Sequence, residues 1–373
     1  MQAEACATKR LPLTIVGMAG YPGAEKERRF DPDELTAFVA TIFRACDMDR
    51  VDAELLATTL VVADMRGCHS HGVLRVPDYV KKLRDEGVNP KGRPRVTEDR
   101  PSAVVVDADN AMGQIACTFA MQRAVIKARG MGLAATAVGG SNHCGALAYF
   151  AMQALEQGLV GLATTNALPT MAPWGGVDKI VGINPLAVAI PAGDEGPIVI
   201  DAAFSASSHG KVRIYDQKGL ALPEGWAFDA EGRETTDPAA ALTGLLRPIG
   251  DYKGVGLAVV MGVLSTALSG ASYGTELGNM VDGPQAGKDG QFLLALDPAA
   301  FVDRDVFGER VDRVVRQIRE SRRAQGCEKI YAPGELEALT EARYRADGIP
   351  LNDETIGDLS RCAKGLGLSP LGG

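Results

Sequence analysis

Hydrophobic residues recur with a helical period at both ends of the chain. Leu35, Val39 and Phe43 share one face of a segment that begins at Asp31 or Asp33, which predicts a capped helix ending near Cys46. Further helices are predicted over 53–66, from Pro77 to a point before Gly87, over 255–269, over 304–323 and from Pro333 onward. The two ends are therefore predicted to be helical and to pack together.

The centre of the chain instead carries short apolar runs separated by glycine turns. Strands are predicted at 103–107, 133–138, 160–164, 186–191, 198–201 and 292–296, with helices at 117–128 and 146–157. This alternation is typical of a mixed α/β (α+β) fold. We expect an extension over 1–29, a discontinuous helical domain over 30–98 and 239–373, and an α/β domain over 99–238.

Composition limits the kind of partner. The 373 residues carry a net charge of −8 without a basic stripe, which argues against nucleic acid. Seven cysteines without a CxxC pair make a disulfide framework improbable and favour a cytoplasmic location. No apolar run approaches the roughly 18 residues that a membrane span requires, so no membrane partner is expected.

The chain has only four histidines, and all lie in polar, glycine-flanked segments. His71 follows Ser70, and Arg75 and Tyr79 come next at four-residue steps, so one small volume would hold an imidazole, a guanidinium and a phenol. Arginine suits a carboxylate, and histidine can exchange a proton with a neighbouring oxygen. An ordinary helix start, with Ser70 as its cap and Arg75 in solvent, explains the same residues equally well.

A second polar cluster, residues 139–145, joins a predicted strand to a helix. Asn142 and His143 would face the cleft there, although a simple βα turn would also explain the glycines. Gly17–Gly23 matches a dinucleotide fingerprint only loosely, with the wrong spacing. Zinc bound by Cys68, His69, His71 and His143 is a remote alternative, since the spacing matches no reliable metal motif, and no metal is expected.

Motifs spread from Phe30 to Pro350 resemble the malate/L-lactate dehydrogenase type-2 family. They include Ser70–Val73 with Arg75, Tyr79 and Asn89-Pro90, Ser141–His143, Thr165-Asn166, Pro173–Gly176, Asn184–Ala187, Asp201 with Ala203 and Ser205, Gly210-Lys211, Gly225–Ala227, Lys253-Gly254, Gly290–Phe292, Asp297-Pro298 and Pro333–Glu335. The resemblance implies an NAD- or NADP-dependent oxidoreductase with a non-Rossmann cofactor domain. It also implies a homodimer, with the helical domain serving dimerisation.

The resemblance also implies roles for residues at the matching positions. His71 would be the acid/base, His143 a second catalytic histidine and Ser70 their neighbour. The substrate would contact Arg75, which would hold its carboxylate, together with Tyr79 and Asn142. The cofactor would contact Asp201, Ala202, Ala203, Lys253, Gly254, Pro333, Gly334 and Glu335.

The expected reaction is hydride transfer between nicotinamide and C2 of a small 2-oxo or 2-hydroxy carboxylic acid. Reduction of a cyclic 2-imino acid of the Δ1-piperideine-2-carboxylate type is the alternative, and a zinc-dependent hydrolase or a catalytically silent binding protein is more remote. Cys68-His69, Ala167 and Ile183 depart from the family pattern and leave the exact substrate open. His69 and His209 are expected to be bystanders.

Overall fold

The computed structural model describes residues 27–280 and 283–372, within which there are eleven α-helices and fourteen β-strands. The helices are α1 (Pro32–Arg44), α2 (Arg50–Met65), α3 (Val76–Arg84), α4 (Gly113–Met131), α5 (Ala148–Gln153), α6 (His209–Gln217), α7 (Pro238–Thr243), α8 (Tyr252–Thr266), α9 (Arg304–Arg319), α10 (Glu335–Asp347) and α11 (Asp353–Gly365). The strands are β1 (Arg28–Phe30), β2 (Arg95–Asp99), β3 (Ala103–Asp107), β4 (Leu133–Ser141), β5 (Val160–Thr165), β6 (Pro169–Met171), β7 (Val181–Gly182), β8 (Leu186–Ile190), β9 (Ile198–Ala202), β10 (Ala227–Phe228), β11 (Glu234–Thr235), β12 (Leu245–Leu246), β13 (Asp289–Leu296) and β14 (Ile349–Leu351).

The predicted N-terminal extension is covered only at its end. Residues 1–26, with the Gly17–Gly23 segment, lie outside the described residues. Arg28 and Arg29 already belong to β1, which pairs antiparallel with β14 near the other end of the chain. Because this partner lies more than 300 residues away, the local pattern did not reveal the strand.

The central sheet has seven strands in the order β2-β3-β4-β13-β5-β8-β9. Only β3 and β4 run parallel, and the other neighbouring pairs are antiparallel. The predicted mixed α/β class is confirmed. The predicted strand at 292–296 is also confirmed, as part of β13. This strand lies in the middle of the sheet, although it belongs to the segment that was assigned to the helical domain. The domain boundaries stay a prediction.

The two ends of the chain pack together, as predicted. Asp31 caps α1 by accepting hydrogen bonds from the backbone N–H groups of Asp33 and Glu34. Leu35, Val39, Ile42 and Phe43 are fully buried, and their cluster includes residues of α2, α3, α10 and α11. A second cluster forms where the alanine-rich face of α4 packs on the sheet. No helix in the described part of the chain is long and apolar enough to cross a bilayer.

The sheet register brings three polar strand ends to one edge. Because β13 is antiparallel to both of its neighbours, its first residue, Asp289, lies opposite Ser141 at the end of β4. Gln291 lies opposite Thr165 at the end of β5. Helix α3 from the helical region contributes Tyr79 and Lys82 to a cavity at this edge.

Candidate active site

A cavity of about 120 Å³ lies between α3 and this edge of the sheet. Four of the predicted site residues line it, namely His71, Tyr79, Asn142 and His143. Its other described lining residues are Lys82, Val88, Met112, Cys144, Gly145, Thr165, Asn166, Ala167, Leu168, Ile183, Pro185, Gly278, Met280, Gly287 and Asp289. Segments that are 64 residues or more apart in sequence therefore meet, as the two histidine clusters were expected to do.

His143 is held by a chain of buried polar groups. Its Nδ1 lies 2.7 Å from the Tyr79 hydroxyl, which accepts a hydrogen bond from Gln114 Nε2 at 3.0 Å. Tyr79 is 1% exposed, and burial raises the pKa of its phenol, which therefore stays protonated and donates to His143. This bond leaves Nε2 as the nitrogen of His143 that can meet a substrate.

His71 stacks on His143, with ring centroids 5.7 Å apart and planes inclined by 14°. Its Nδ1 lies 2.9 Å from Ser70 Oγ, so each histidine has a hydroxyl at Nδ1. Burial, followed by the positive charge of Arg75, lowers the pKa of His71 to about 4. Burial also lowers the pKa of His143, with smaller effects from His71 and Arg75. Both rings are therefore neutral at pH 7.

The segment before α3 is not an ordinary capped helix start. Short 3-10 turns at His69–His71 and Val73–Arg75 precede α3, and Ser70 Oγ bonds to His71 rather than capping the helix. Arg75 Nε donates to the Ser70 carbonyl at 2.8 Å, and its Nη1 donates to Asp78 at 3.2 Å. Arg75 is not among the described residues that line the cavity, although its charge acts on both histidines.

Asn142 lines the cavity, but its side-chain amide is already bound within the chain. Its Nδ2 donates to Asn110 Oδ1 at 2.9 Å and to the Ala111 carbonyl at 3.0 Å. Its Oδ1 accepts the Gly287 N–H at 2.9 Å. The amide thus ties β4 to the segment before β13 and fixes the position of the next residue, His143.

The other two histidines lie outside the lining of the cavity. His69 Nδ1 lies 2.7 Å from Asp64 Oδ1, and Asp64 Oδ2 accepts the Val73 N–H at 2.7 Å. Asp64 thus holds the turn that carries His71 from both sides, a role that sequence reasoning missed. His209 begins α6.

Sequence reasoning also missed the two charged residues of the cavity. Among the described lining residues, Lys82 is the only lysine or arginine and Asp289 is the only aspartate or glutamate. Lys82 is 3% exposed and donates to the Gln285 carbonyl. Its spacing from Arg75 and Tyr79, seven and three residues, was the available signal, because it places all three on one face of a helix.

The predicted cofactor residues form a connected surface beside the cavity. Pro333 accepts a hydrogen bond from the Val199 N–H at 3.1 Å, next to Asp201–Ala203 at the end of β9. Phe204 continues from there, donating to Ile183 of the cavity wall at 3.1 Å and accepting from Ile249 at 3.0 Å, just before Lys253. Two helices, α8 and α10, begin on this surface.

Two polar side chains near this surface bear on the predicted cofactor role. Asp201 is exposed to solvent, and its Oδ2 accepts the Ala148 N–H at 2.8 Å. The buried Ser207 Oγ has no hydrogen-bond partner among the described residues. A carboxylate, a hydroxyl, Lys253 and helix N-termini are groups that bind ribose hydroxyls and phosphates.

No group of three potential metal ligands occurs within residues 27–280 and 283–372. His69 Nδ1 lies against the carboxylate of Asp64. The Nδ1 atoms of His71 and His143 lie against the hydroxyls of Ser70 and Tyr79, respectively. The zinc-hydrolase alternative therefore receives no support from the arrangement of these side chains.

The model of the malate/L-lactate dehydrogenase family matches residues 30–360. The chain belongs to this family. Among relatives of this dehydrogenase, the L-sulfolactate dehydrogenase of Methanocaldococcus jannaschii is 33% identical over 91% of this chain and 97% of its own length. The solved structure of sulfolactate dehydrogenase from that organism superposes with a TM-score of 0.86 at 32% identity, covering 92% of this chain and 98% of the other.

Two more relatives show the range of the family. Ureidoglycolate dehydrogenase (NAD(+)) of Escherichia coli is 32% identical over 82% of this chain and 88% of its own length. The structure of Δ1-piperideine-2-carboxylate reductase from Pseudomonas syringae has a TM-score of 0.81 at 32% identity, covering 90% of this chain and 100% of the other. The protein is an oxidoreductase, and its relatives are NAD(+)- or NADP(+)-dependent dehydrogenases. The expected family and cofactor class are thereby confirmed.

Proposed function

We propose that this dehydrogenase interconverts a small 2-oxo acid and its 2-hydroxy acid in the cavity between His71 and His143, with NAD or NADP. The observation that carries the proposal is the stacked pair of neutral histidines, each held at Nδ1 by a hydroxyl. This arrangement leaves two Nε2 atoms for one substrate oxygen. A neutral imidazole can accept the proton of an alcohol, as oxidation requires.

The bound cofactor supplies or accepts the hydride at C2, and the protein handles the proton at the attached oxygen. In oxidation, His71 Nε2 takes the hydroxyl proton while its Nδ1–H donates to Ser70 Oγ. His143 donates its Nε2–H to the same oxygen, because the Tyr79 hydroxyl fixes the proton of His143 on that side. In reduction, protonated His71 returns the proton to the oxygen of the product.

We assign Arg75 to the substrate carboxylate and Tyr79 to the positioning of His143. Support for Arg75 is its position beside His71: its Nε donates to the carbonyl of Ser70, whose hydroxyl lies against His71, and its charge lowers the pKa of both histidines. A bound carboxylate would offset that charge and so raise the pKa of His71 toward the range in which it can act as an acid. Asn142 acts by holding the backbone of His143 rather than through a free amide.

We assign the cofactor to Asp201–Ala203, Lys253-Gly254 and Pro333–Glu335. Support comes from the solvent-exposed carboxylate of Asp201 and from the N-termini of α8 and α10. Glu335 is already paired with Arg319 at 3.0 Å and with Lys329 at 3.3 Å, so it orders this loop. The mostly antiparallel sheet supports a non-Rossmann cofactor domain, since the Rossmann sheet is mostly parallel.

We further propose a homodimer located in the cytoplasm. Support for the dimer is an exposed apolar row on α8, in which Leu257, Val260 and Val263 are each about half exposed. Light scattering of the purified protein should give the mass of two chains, and Val260→Glu should shift it toward one. A monomeric wild-type protein would contradict the proposed dimer.

The experiment that tests the reaction is a panel of 2-oxo acids and cyclic 2-imino acids, followed at the nicotinamide absorbance with NADH and NADPH. We expect turnover of at least one 2-oxo acid. Preference for a cyclic imino acid would favour the second candidate, which the structural similarity to the P. syringae reductase supports. Failure to oxidise either cofactor with every compound would refute the proposal.

A further inference from the structure

Lys82 and Asp289, a pair of oppositely charged residue types, both line the cavity, and the proposed chemistry uses neither of them. Asp289 begins β13, where the pairing with β4 is interrupted by a bulge. The positive charge of Lys82 acts on Asp289, and burial nevertheless raises the pKa of that carboxyl to about 7. Asp289 keeps some accessible surface because it lines the cavity, although it lies deep in the protein.

The position of Lys82 relative to the histidines is set by α3. Arg75 precedes Tyr79 by four residues and Lys82 follows it by three, so the Cα atoms of Arg75 and Lys82 are about 10 Å apart along the helix axis. Tyr79 holds His143 between them. A substrate whose C1 carboxylate lies toward Arg75 and whose C2 oxygen meets the histidines therefore extends its far end toward Lys82.

The surroundings of Asp289 are fixed rather than adaptable. A Cβ on Gly287 would come within 2.3 Å of Asp289 Oδ2, so only glycine leaves room for the carboxylate there. The same Gly287 is tied to Asn142 Oδ1. Burying a lysine and a carboxylate without a function is costly compared with apolar residues of similar size, which makes a binding role for the pair the better explanation.

We propose that Lys82, with Asp289 as its counter-ion, is a specificity-determining residue that binds a second anionic group, a carboxylate or sulfonate, at the end of the substrate remote from C1. This inference rests on the proposed function for the position of C1 and C2. In the empty cavity the ionised carboxylate of Asp289 offsets the positive charge of Lys82. Its own negative charge also opposes the incoming anion.

The test compares oxaloacetate with 2-oxobutyrate, which share a four-carbon chain but differ in the distal carboxylate. Affinities are measured by calorimetry on the cofactor-free protein, and kcat/KM is measured with cofactor. We expect the wild type to prefer oxaloacetate. Lys82→Met should weaken the binding of oxaloacetate about 10- to 100-fold, which is the value of a lost charge-assisted hydrogen bond. It should change the affinity for 2-oxobutyrate less than about 3-fold.

Three further variants separate recognition from structural support. Lys81→Met makes the same change at the exposed neighbouring residue and should have no effect on either ligand. Asp289→Asn should keep or strengthen oxaloacetate binding because it removes an opposing charge. If Lys82→Met folds poorly, the double variant Lys82→Met/Asp289→Asn avoids an unpaired buried charge and should show the same selective loss. The affinity for 3-sulfopyruvate, compared with that for oxaloacetate, shows whether the site favours a sulfonate or a carboxylate.

Equal losses of affinity for oxaloacetate and 2-oxobutyrate in Lys82→Met would overturn the inference. Equal losses of oxaloacetate affinity in Lys82→Met and in Asp289→Asn would do the same. Either result would make the pair purely structural. A wild type that binds the two acids equally would overturn it as well. Because binding is measured without cofactor, these results are independent of the proposed reaction. Selective binding that depends on Lys82, but without hydride transfer, would support the subsite and refute the proposed function.

Discussion

Removing the Tyr79 hydroxyl tests how His143 is held. In Tyr79→Phe the ring keeps its buried place beside Phe43, with ring centroids 6.5 Å apart, but the bonds to His143 Nδ1 and Gln114 Nε2 are lost. His143 can then rotate, and its proton is no longer fixed on Nε2. The substitution therefore changes the hydrogen bonds and leaves the packing nearly intact.

The magnitude follows from the two bonds. Leaving a buried polar partner unpaired costs about 1–3 kcal/mol, so the free energy of unfolding should fall by about 2 kcal/mol. For a chain of this length that corresponds to a decrease in Tm of about 3 °C. Loss of orientation at the substrate oxygen should lower kcat/KM about 30- to 100-fold, or roughly 2–3 kcal/mol of transition-state stabilisation.

The assay is steady-state turnover of the preferred 2-oxo acid, together with thermal unfolding of the same samples. Tyr344→Phe is the matched control, because Tyr344 is also buried but contacts the ring of His69 rather than the cavity. It should keep kcat/KM within about 2-fold of the wild type. Near-normal activity in Tyr79→Phe, or an equal loss in Tyr344→Phe, would refute the reasoning.

Three more predictions concern pH, the catalytic turn and the cofactor. Because His71 has a pKa of about 4 in the empty cavity, kcat/KM for oxidation of a monoanionic 2-hydroxy acid should rise with pH through about 4 and then level off. An inflection of this profile near pH 6.5 would contradict the prediction. Asp64→Asn should lower kcat about 10-fold and the free energy of unfolding by about 2 kcal/mol, because it weakens the hydrogen bonds to His69 and Val73. Chemical unfolding unchanged from the wild type would contradict this. Lys253→Met should raise KM for the cofactor about 3- to 10-fold with kcat little changed, and an unchanged KM would remove Lys253 from the cofactor site.

Local sequence patterns were sufficient for the elements that depend on local physics. The apolar spacing in α1 and the acidic cap at Asp31 predicted that helix and its buried face. The strand at 292–296 was found in the same way. Its place between β4 and β5 could not be read from the sequence, because strand order depends on pairing between distant segments.

The same limit applies to the site. His71, Tyr79, Asn142 and His143 were predicted together and line one cavity. Lys82 was not predicted, because a lysine on an amphipathic helix normally faces solvent and its burial depends on residues about 200 positions away. The hydrogen bonds of the Asn142 side-chain amide likewise depend on Asn110 and Gly287 rather than on neighbours in sequence.

The most direct test of the central claim is the fate of the hydride in wild type and in the double variant His71→Asn/His143→Asn. With cofactor carrying deuterium at the transferable position of nicotinamide, mass spectrometry of the product should show one deuterium at C2 of the 2-hydroxy acid for the wild type. The folded double variant should form product more than about 1000-fold more slowly. Product without deuterium at C2, or formation by the double variant at the wild-type rate, would contradict the account.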